Sequence, residues 1–253
     1  MRYLLIIAYD GTGFSGWQRQ KNALSVQEVL EKALEEGLGK PCRVTASGRT
    51  DAGVHAAAQP CHFDAEGLTV PPEKLPDLLN PLLPPAVRVL SGRAVRADFD
   101  CSRAAKRKTY RYSLYVSERE MPLKERYAVR IERAPSPERL AEWAPKLAGT
   151  HDYKAFCASG SSAKTTVRTV YSVRVEEGES LGSRDIFIYV TGNGFLYNMV
   201  RTMTGELLEL AGGRRSAESL SEAFETGRRD LLGKTMPAKG LMLINVEYGE
   251  EML

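Results

Sequence analysis

The chain is poor in the residues that build disulfide or metal frameworks. Its 253 residues include four cysteines and three histidines. Cys42, Cys61, Cys101 and Cys157 form no C-x-x-C pair, and the histidines lack metal-ligand spacing. Cys61 and His62 with His55 supply three ligands at most, with no fourth placed to close a tetrahedron. Free thiols in a reducing compartment are expected instead. Long apolar runs are also missing. The N-terminal YLLIIAY is too short to span a bilayer, and Asp10 follows it with no small-residue cleavage site. Neither sign of charge dominates: the net charge of +3 tolerates a polyanionic partner without demanding one. With 43% hydrophobic and 26% charged residues the composition excludes a disordered or fibrous chain. A soluble, cytoplasmic protein is expected, long enough for one large domain or two smaller ones.

What is present alternates strands and helices. Residues 2–9 read as a buried strand. SVQEVLEKALEEGLGK reads as a helix capped by Ser25, with Glu28 three residues on and Gly37 or Gly39 at its end. CRVTASG and AAAQPCHFDA read as strands around a loop, and the proline-punctuated stretch from Val70 as a short helix and turn before another strand. KTYRYSLYV alternates, putting Lys108, Tyr110, Tyr112, Leu114 and Val116 on one face. SPERLAEWAPKLAG predicts a helix capped by Ser136, with Gly149 beyond its end. TTVRTVYSVRVEE and SRDIFIYVTG predict a hairpin around the turn EEGESLGS. GFLYNMVRTMTGELLELAGG predicts an amphipathic helix whose stripe runs through Phe195, Met199, Val200, Met203 and Leu207, with Arg201 at the margin in line with Tyr197 and Gly205. SAESLSEAFETG and GLMLINVEYG give a last helix and strand. LLIIAYDGTGF is echoed by IFIYVTGNGF, so the expected architecture is α+β, in two related halves over residues 1–104 and 105–253. Each half would carry a mostly antiparallel sheet with helices on one face.

Three stretches carry chemistry. GTGFSG, residues 11–16, satisfies G-x-G-x-x-G after a strand, but the helix that should hold a pyrophosphate does not open at once, so a nicotinamide enzyme is disfavoured. Asp10, Trp17 and Gln18 still mark the loop as functional. CSRAAKRKTYRY concentrates Arg103, Lys106, Arg107, Lys108 and Arg111 beside Tyr110 and Tyr112: cations for phosphates, rings for unpaired bases. In SGRTDAGVHA, residues 47–56, Asp51 lies between Gly48 and Gly53, two positions after Arg49. Such residues often make a plain turn. Positive neighbours favour an ionised carboxyl, which suits a nucleophile or a stabiliser of cationic character and makes a poor general acid. Carbon atoms of glycosidic bonds react through oxocarbenium-like states that a fixed carboxylate can attack or stabilise.

YDGTGFSGWQRQ, SVQEVLEKAL, SGRTDAGVHAAAQPCHF, KTYRY, GFLYNMVRTMTG and AKGLMLINVEY occur in the order seen in the tRNA pseudouridine synthase A family, which the chain resembles over nearly its whole length. The resemblance implies the pseudouridine synthase fold. It also implies isomerisation of uridine to pseudouridine at positions 38, 39 and 40 of the tRNA anticodon stem-loop by a homodimer with no metal or other cofactor. Asp51 is then the catalytic carboxylate. Tyr110 matches a tyrosine that packs on the target base, and Arg49 and Arg201 match arginines that orient the acid and assist flipping. Arg103, Lys106, Arg107, Lys108, Trp17 and Gln18 are expected to contact RNA. Many members carry F-x-A-R before the basic strand, whereas this chain reads FDCSR, with Cys101 in place of the alanine and Arg103 one place late. The rival from another class is a catalytically inactive RNA-binding protein on the same fold.

Overall fold

The computed structural model describes residues 1–161 and 163–249. In chain order its regular elements begin with strand β1 (Arg2–Tyr9), helix α1 (Val26–Leu38), β2 (Val44–Ala46), β3 (His55–Asp64), α2 (Leu75–Leu79) and β4 (Val87–Val95). There follow β5 (Ala105–Val116), β6 (Val129–Ile131), α3 (Pro137–Trp143), β7 (Gly149–Asp152), β8 (Val167–Ser180), β9 (Ser183–Gly192), α4 (Met199–Ala211), α5 (Ala217–Thr226) and β10 (Leu241–Tyr248). The chain divides into two compact units, Met1–Lys108 with the C-terminal segment from Met242, and Thr109–Leu241. The expected halves differ from these units by a few residues at the boundary and by the last strand, which returns to the first unit.

In the first unit β1 runs antiparallel between β3 and β4, and β3 pairs on its other side with β2 and, in parallel, with β10. Alternation decides which side chains of β1 enter the main core: Tyr3, Leu5, Ile7 and Tyr9 are all buried. Leu4 on the opposite face joins Phe99, Cys101 and Ala104 in a second cluster covered by loop. Helix α1 starts where the sequence says it should. The Ser25 hydroxyl accepts the Glu28 amide at 3.2 Å, and Gly39 ends the helix in the left-handed region.

In the second unit β9 lies between β5 and β8, β7 flanks β8, and β6 pairs in parallel with β5. The β8–β9 turn is tighter than expected. Ser180 pairs with Ser183, leaving only Leu181 and Gly182, both at positive φ, so the strand continues through most of EEGESLGS. Helix α3 stops at Trp143 and tightens into a 3-10 turn, because Pro145 cannot donate to an α-helical ladder. The α+β expectation holds, with antiparallel pairings predominating in each unit. None of the helices is long and apolar enough to cross a membrane among the described residues.

One buried charge needs an account. Lys124 is 8% exposed and its ammonium donates to the Ser180 carbonyl at 2.6 Å, to Ser183 Oγ at 2.7 Å and to the Asp185 carboxylate. The loop carrying Lys124 is thereby fixed to the base of the β8–β9 turn. A buried ammonium stripped of its anion is costly, so Asp185→Ala should lose about 3–5 kcal/mol of stability in urea unfolding. A loss under about 1 kcal/mol would mean that water reaches the pair.

Candidate active site

In the first unit β2 leads out and β3 leads back, with Val44 opposite Phe63 and Ala46 opposite Cys61. The Ser47 amide extends the ladder to the Pro60 carbonyl at 2.9 Å. The chain then bulges outward and turns at Asp51–Val54, where the Val54 amide donates to the Asp51 carbonyl at 3.1 Å and Gly53 takes a φ of +78°. Asp51 is left half-buried and Arg49 exposed. The turn bond uses the Asp51 backbone, so it survives replacement of the side chain.

Both flanks of this loop are braced. On one, Lys108 Nζ donates to the Ser47 carbonyl at 2.5 Å and the Gln59 amide to the Gly48 carbonyl. On the other stands GTGFSG. The Trp17 amide donates to the Thr50 carbonyl at 3.0 Å, the Gly53 amide to the Phe14 carbonyl at 3.3 Å, and the Tyr9 hydroxyl meets Thr50 Oγ1 at 2.8 Å. A Cβ on Gly11 would sit 2.1 Å from the Val54 carbonyl oxygen, and one on Gly16 would sit 2.6 Å from that of Thr50. These glycines admit a neighbouring backbone, not a pyrophosphate. The Gly11 amide also lies 3.0 Å from Nδ1 of the buried His55, and Asp10 Oδ1 lies 3.2 Å from the same nitrogen. Upstream, Glu31 on α1 accepts the Val44 amide at 3.1 Å and fixes the strand that enters the loop.

In the second unit Tyr110 on β5 is 8% exposed and stands edge-to-face against Phe195, with ring centroids 5.3 Å apart. Tyr112 is fully buried. Burial pushes its phenol well above the ordinary range, keeping it a donor, and its hydroxyl reaches the Pro237 carbonyl at 2.6 Å. Helix α4 departs from the expected stripe. It begins only at Met199, after Asn198 at a φ of +63°, so Phe195 and Tyr197 belong to the preceding loop. It is also buried all round except at Arg201 and Glu209. Arg201 Nε donates to the Met236 carbonyl and its Nη1 to Asn198 Oδ1, both at 2.6 Å.

The residues expected to touch RNA separate. Arg103, Lys106 and Arg107 are exposed, with Arg103 3.9 Å from Asp100. Gln18 is exposed and its amide donates to Gln27 at 3.2 Å. Two expectations are corrected. Trp17 is 2% exposed, its indole 6.3 Å from the Tyr9 ring, and offers no face to an unpaired base. The Lys108 ammonium is committed to Ser47 rather than to a phosphate. Cys101 is a core residue: its thiol donates to the Thr45 carbonyl at 3.1 Å on β2, and burial pushes its pKa up to about 12. Among the described residues no group of three His, Cys, Asp or Glu side chains could hold a metal ion.

Comparison with known proteins gives one consistent result. A family model described as tRNA pseudouridine synthase matches residues 5–102 and 144–249. A tRNA pseudouridine synthase A of Shouchella clausii is 40% identical over 247 residues, covering 97% of this chain and 93% of its own. The Syntrophotalea carbinolica protein of the same name is 40% identical over 252 residues, covering 98% and 96%. That of Halalkalibacterium halodurans is 41% identical over 240 residues, covering 94% and 89%.

The brace from Lys108 has a pH signature. Burial lowers the ammonium pKa below its ordinary 10.5. Between the lowered value and 10.5 the unfolded chain holds more protons than the native one, so this group's contribution to stability rises with pH. Wild-type stability minus that of Lys108→Met should therefore increase across the alkaline range below 10.5, measured by urea unfolding at several pH values. A constant or falling difference would mean that the ammonium is solvated.

Proposed function

The chain belongs to the tRNA pseudouridine synthase family and is an isomerase converting uridine to pseudouridine in tRNA; we propose that its targets are positions 38, 39 and 40 of the anticodon stem-loop and that Asp51 is its catalytic carboxylate. The observation that carries the assignment of Asp51 is its setting. One acid, half-buried and two positions after Arg49, sits on a loop whose backbone is clamped on two flanks. A loop needed only to turn the chain requires no such bracing.

The reaction exchanges one bond for another within the same nucleotide. The bond from the ribose anomeric carbon to uracil N1 breaks, the base turns, and the anomeric carbon bonds to C5. The C5 hydrogen leaves as a proton and N1 takes one up, so product and substrate are isomers and no oxidant or reductant enters. Positive charge develops on the sugar as the first bond stretches, and an anionic Asp51 at fixed distance meets it either by attacking the anomeric carbon or by taking a ribose proton. Both routes require an ionised acid. The target base must first leave its stack, at a cost of a few kcal/mol. Tyr110, whose ring is seated against Phe195, packs on the base, and Arg201 assists flipping. Arg103, Lys106 and Arg107 meet the phosphates. A net charge of +3 is small for holding a tRNA, and a homodimer with the RNA lying across both copies doubles it. The protein acts in the cytoplasm, where its substrate is.

Two measurements test this reading. With tRNA tritiated at C5 of its uridines, wild type should release tritium to water while Asp51→Ala binds the tRNA and releases none. Release by the variant near the wild-type rate would remove Asp51 from the chemistry, and binding without release by either protein would leave the inactive RNA-binding reading standing. Separately, Lys106→Ala with Arg107→Ala should weaken tRNA binding and flatten its log–log salt dependence by about 0.7 to 0.9 per lost phosphate contact. An unchanged slope would turn those side chains away from RNA.

A further inference from the structure

Within the second unit, residues Gly233–Met236 lie along α4 as a strap, joined to it by a bond or a close approach at every position, and Pro237 carries the strap on to β5. The Gly233 amide donates to Glu206 Oε2 at 2.6 Å. The Lys234 carbonyl rests on Gly205, where a Cβ would come within 1.9 Å of its oxygen. Thr235 Oγ1 meets Thr202 Oγ1 at 3.0 Å. The Met236 amide donates to the Arg201 carbonyl at 3.2 Å, and the Met236 carbonyl accepts from Arg201 Nε. Finally, the Pro237 carbonyl accepts the Tyr112 hydroxyl, two residues along β5 from Tyr110. The strap thus ends on the supports of two residues given roles above.

Glu206 anchors the other end and is out of place for a plain core residue. It is fully buried, and its second oxygen, Oε1, has no hydrogen-bond partner. Burial raises its pKa, while Arg215, with Nε 3.7 Å from Oε2, works the other way. Arg215 and Arg229 tie the approach to the strap through the Leu232 carbonyl, and Arg229 also donates to Thr235 Oγ1 at 3.0 Å. Burying a carboxylate with one oxygen unsatisfied is unfavourable. For stability alone an apolar residue would serve better at this position on α4.

We propose that Glu206 is a positioning residue for pseudouridine formation: by gripping the Gly233 amide it sets the register of the strap, so that Met236 aims the Arg201 guanidinium and Pro237 holds the strand of Tyr110. This rests on the roles assigned to Arg201 and Tyr110. A one-residue slip of the strap would hand Arg201 Nε to a different carbonyl. Misplacement of a catalytic group by about 1 Å lowers rates by as much as about a hundredfold.

The test compares Glu206→Ala, Glu206→Gln and Arg201→Ala in single-turnover tritium release, with tRNA affinity and the folded fraction measured on the same samples. Glu206→Ala should slow the step about ten- to a hundredfold per folded molecule with tRNA affinity unchanged. Glu206→Gln keeps an acceptor for the Gly233 amide and should recover most of the rate. A wild-type rate per folded molecule for Glu206→Ala would overturn the proposal, as would an equal loss in the Ala and Gln variants. Should Glu206→Ala fail to fold, Thr235→Val cuts the middle of the strap and leaves the carboxylate in place. A slowed Thr235→Val supports the strap, and a wild-type rate overturns it. Arg201→Ala keeps the two failures apart, because full turnover by that variant removes Arg201 from the reaction whatever Glu206 does.

Discussion

The contact on which the candidate site depends is one backbone laid directly on another. In the first unit the turn at residues 11–16 approaches the loop of Asp51 so closely that no side chain fits at Gly11 or Gly16. Close approach without side chains lets amides and carbonyls of the two segments bond to each other: Trp17 to Thr50, Gly53 to Phe14. Loops are ordinarily the mobile part of a protein. Here the loop that carries Asp51 gains the restraint of a sheet edge without becoming a strand. A carboxylate that must meet a short-lived positive charge has to be in position beforehand, because reorganising it during the reaction would add to the barrier.

The second unit reaches fixity by another route. Around Arg201 and Tyr112 the bonds run from side chains to carbonyls of Met236 and Pro237, and α4 is buried on nearly every side. An arginine at the first turn of a buried helix would be a liability without partners. Asn198, in the left-handed conformation just before the helix, and the Met236 carbonyl supply them. The arrangement keeps the guanidinium aimed, which a flexible surface arginine would not be.

Much of this was legible in the residues. Ser25 and Ser136 marked helix starts through their caps, and Ser216 closes a capping box where the last helix was expected. The alternation of β5 already put Lys108 on the face of Tyr110 and Tyr112, and that inward placement is what the structure bears out against a role in binding phosphate. What stayed hidden was pairing across long sequence separation. Nothing local to Gln59, Glu31 or His55 reveals that they brace the Asp51 loop, since each acts on backbone 11 to 44 residues away. The apolar spacing from Phe195 onward suited a helix, yet Asn198 at positive φ delays its start, and no periodicity detects that. Trp17 was expected to contact RNA, but aromatic rings serve both cores and RNA, and only burial separates the two uses.

The echo between LLIIAYDGTGF and IFIYVTGNGF gains physical content from these differences. Both stretches are a strand running into a glycine turn that leads toward a helix, β1 toward α1 and β9 toward α4. In the first unit the turn is pressed on the Asp51 loop, and sixteen residues, 10–25, connect the strand to the helix. In the second, the connection is only six residues long, and it carries Phe195 against Tyr110 before opening directly into the helix of Arg201. One local pattern thus serves in one unit to immobilise a loop and in the other to deliver side chains. The short connection leaves Arg201 little freedom relative to Phe195, whereas the long one lets α1 brace the Asp51 loop from a different side, through Glu31 on the Val44 amide. A repeated pattern that diverges in its connections, rather than in its strands, keeps both cores intact while the two copies take different tasks.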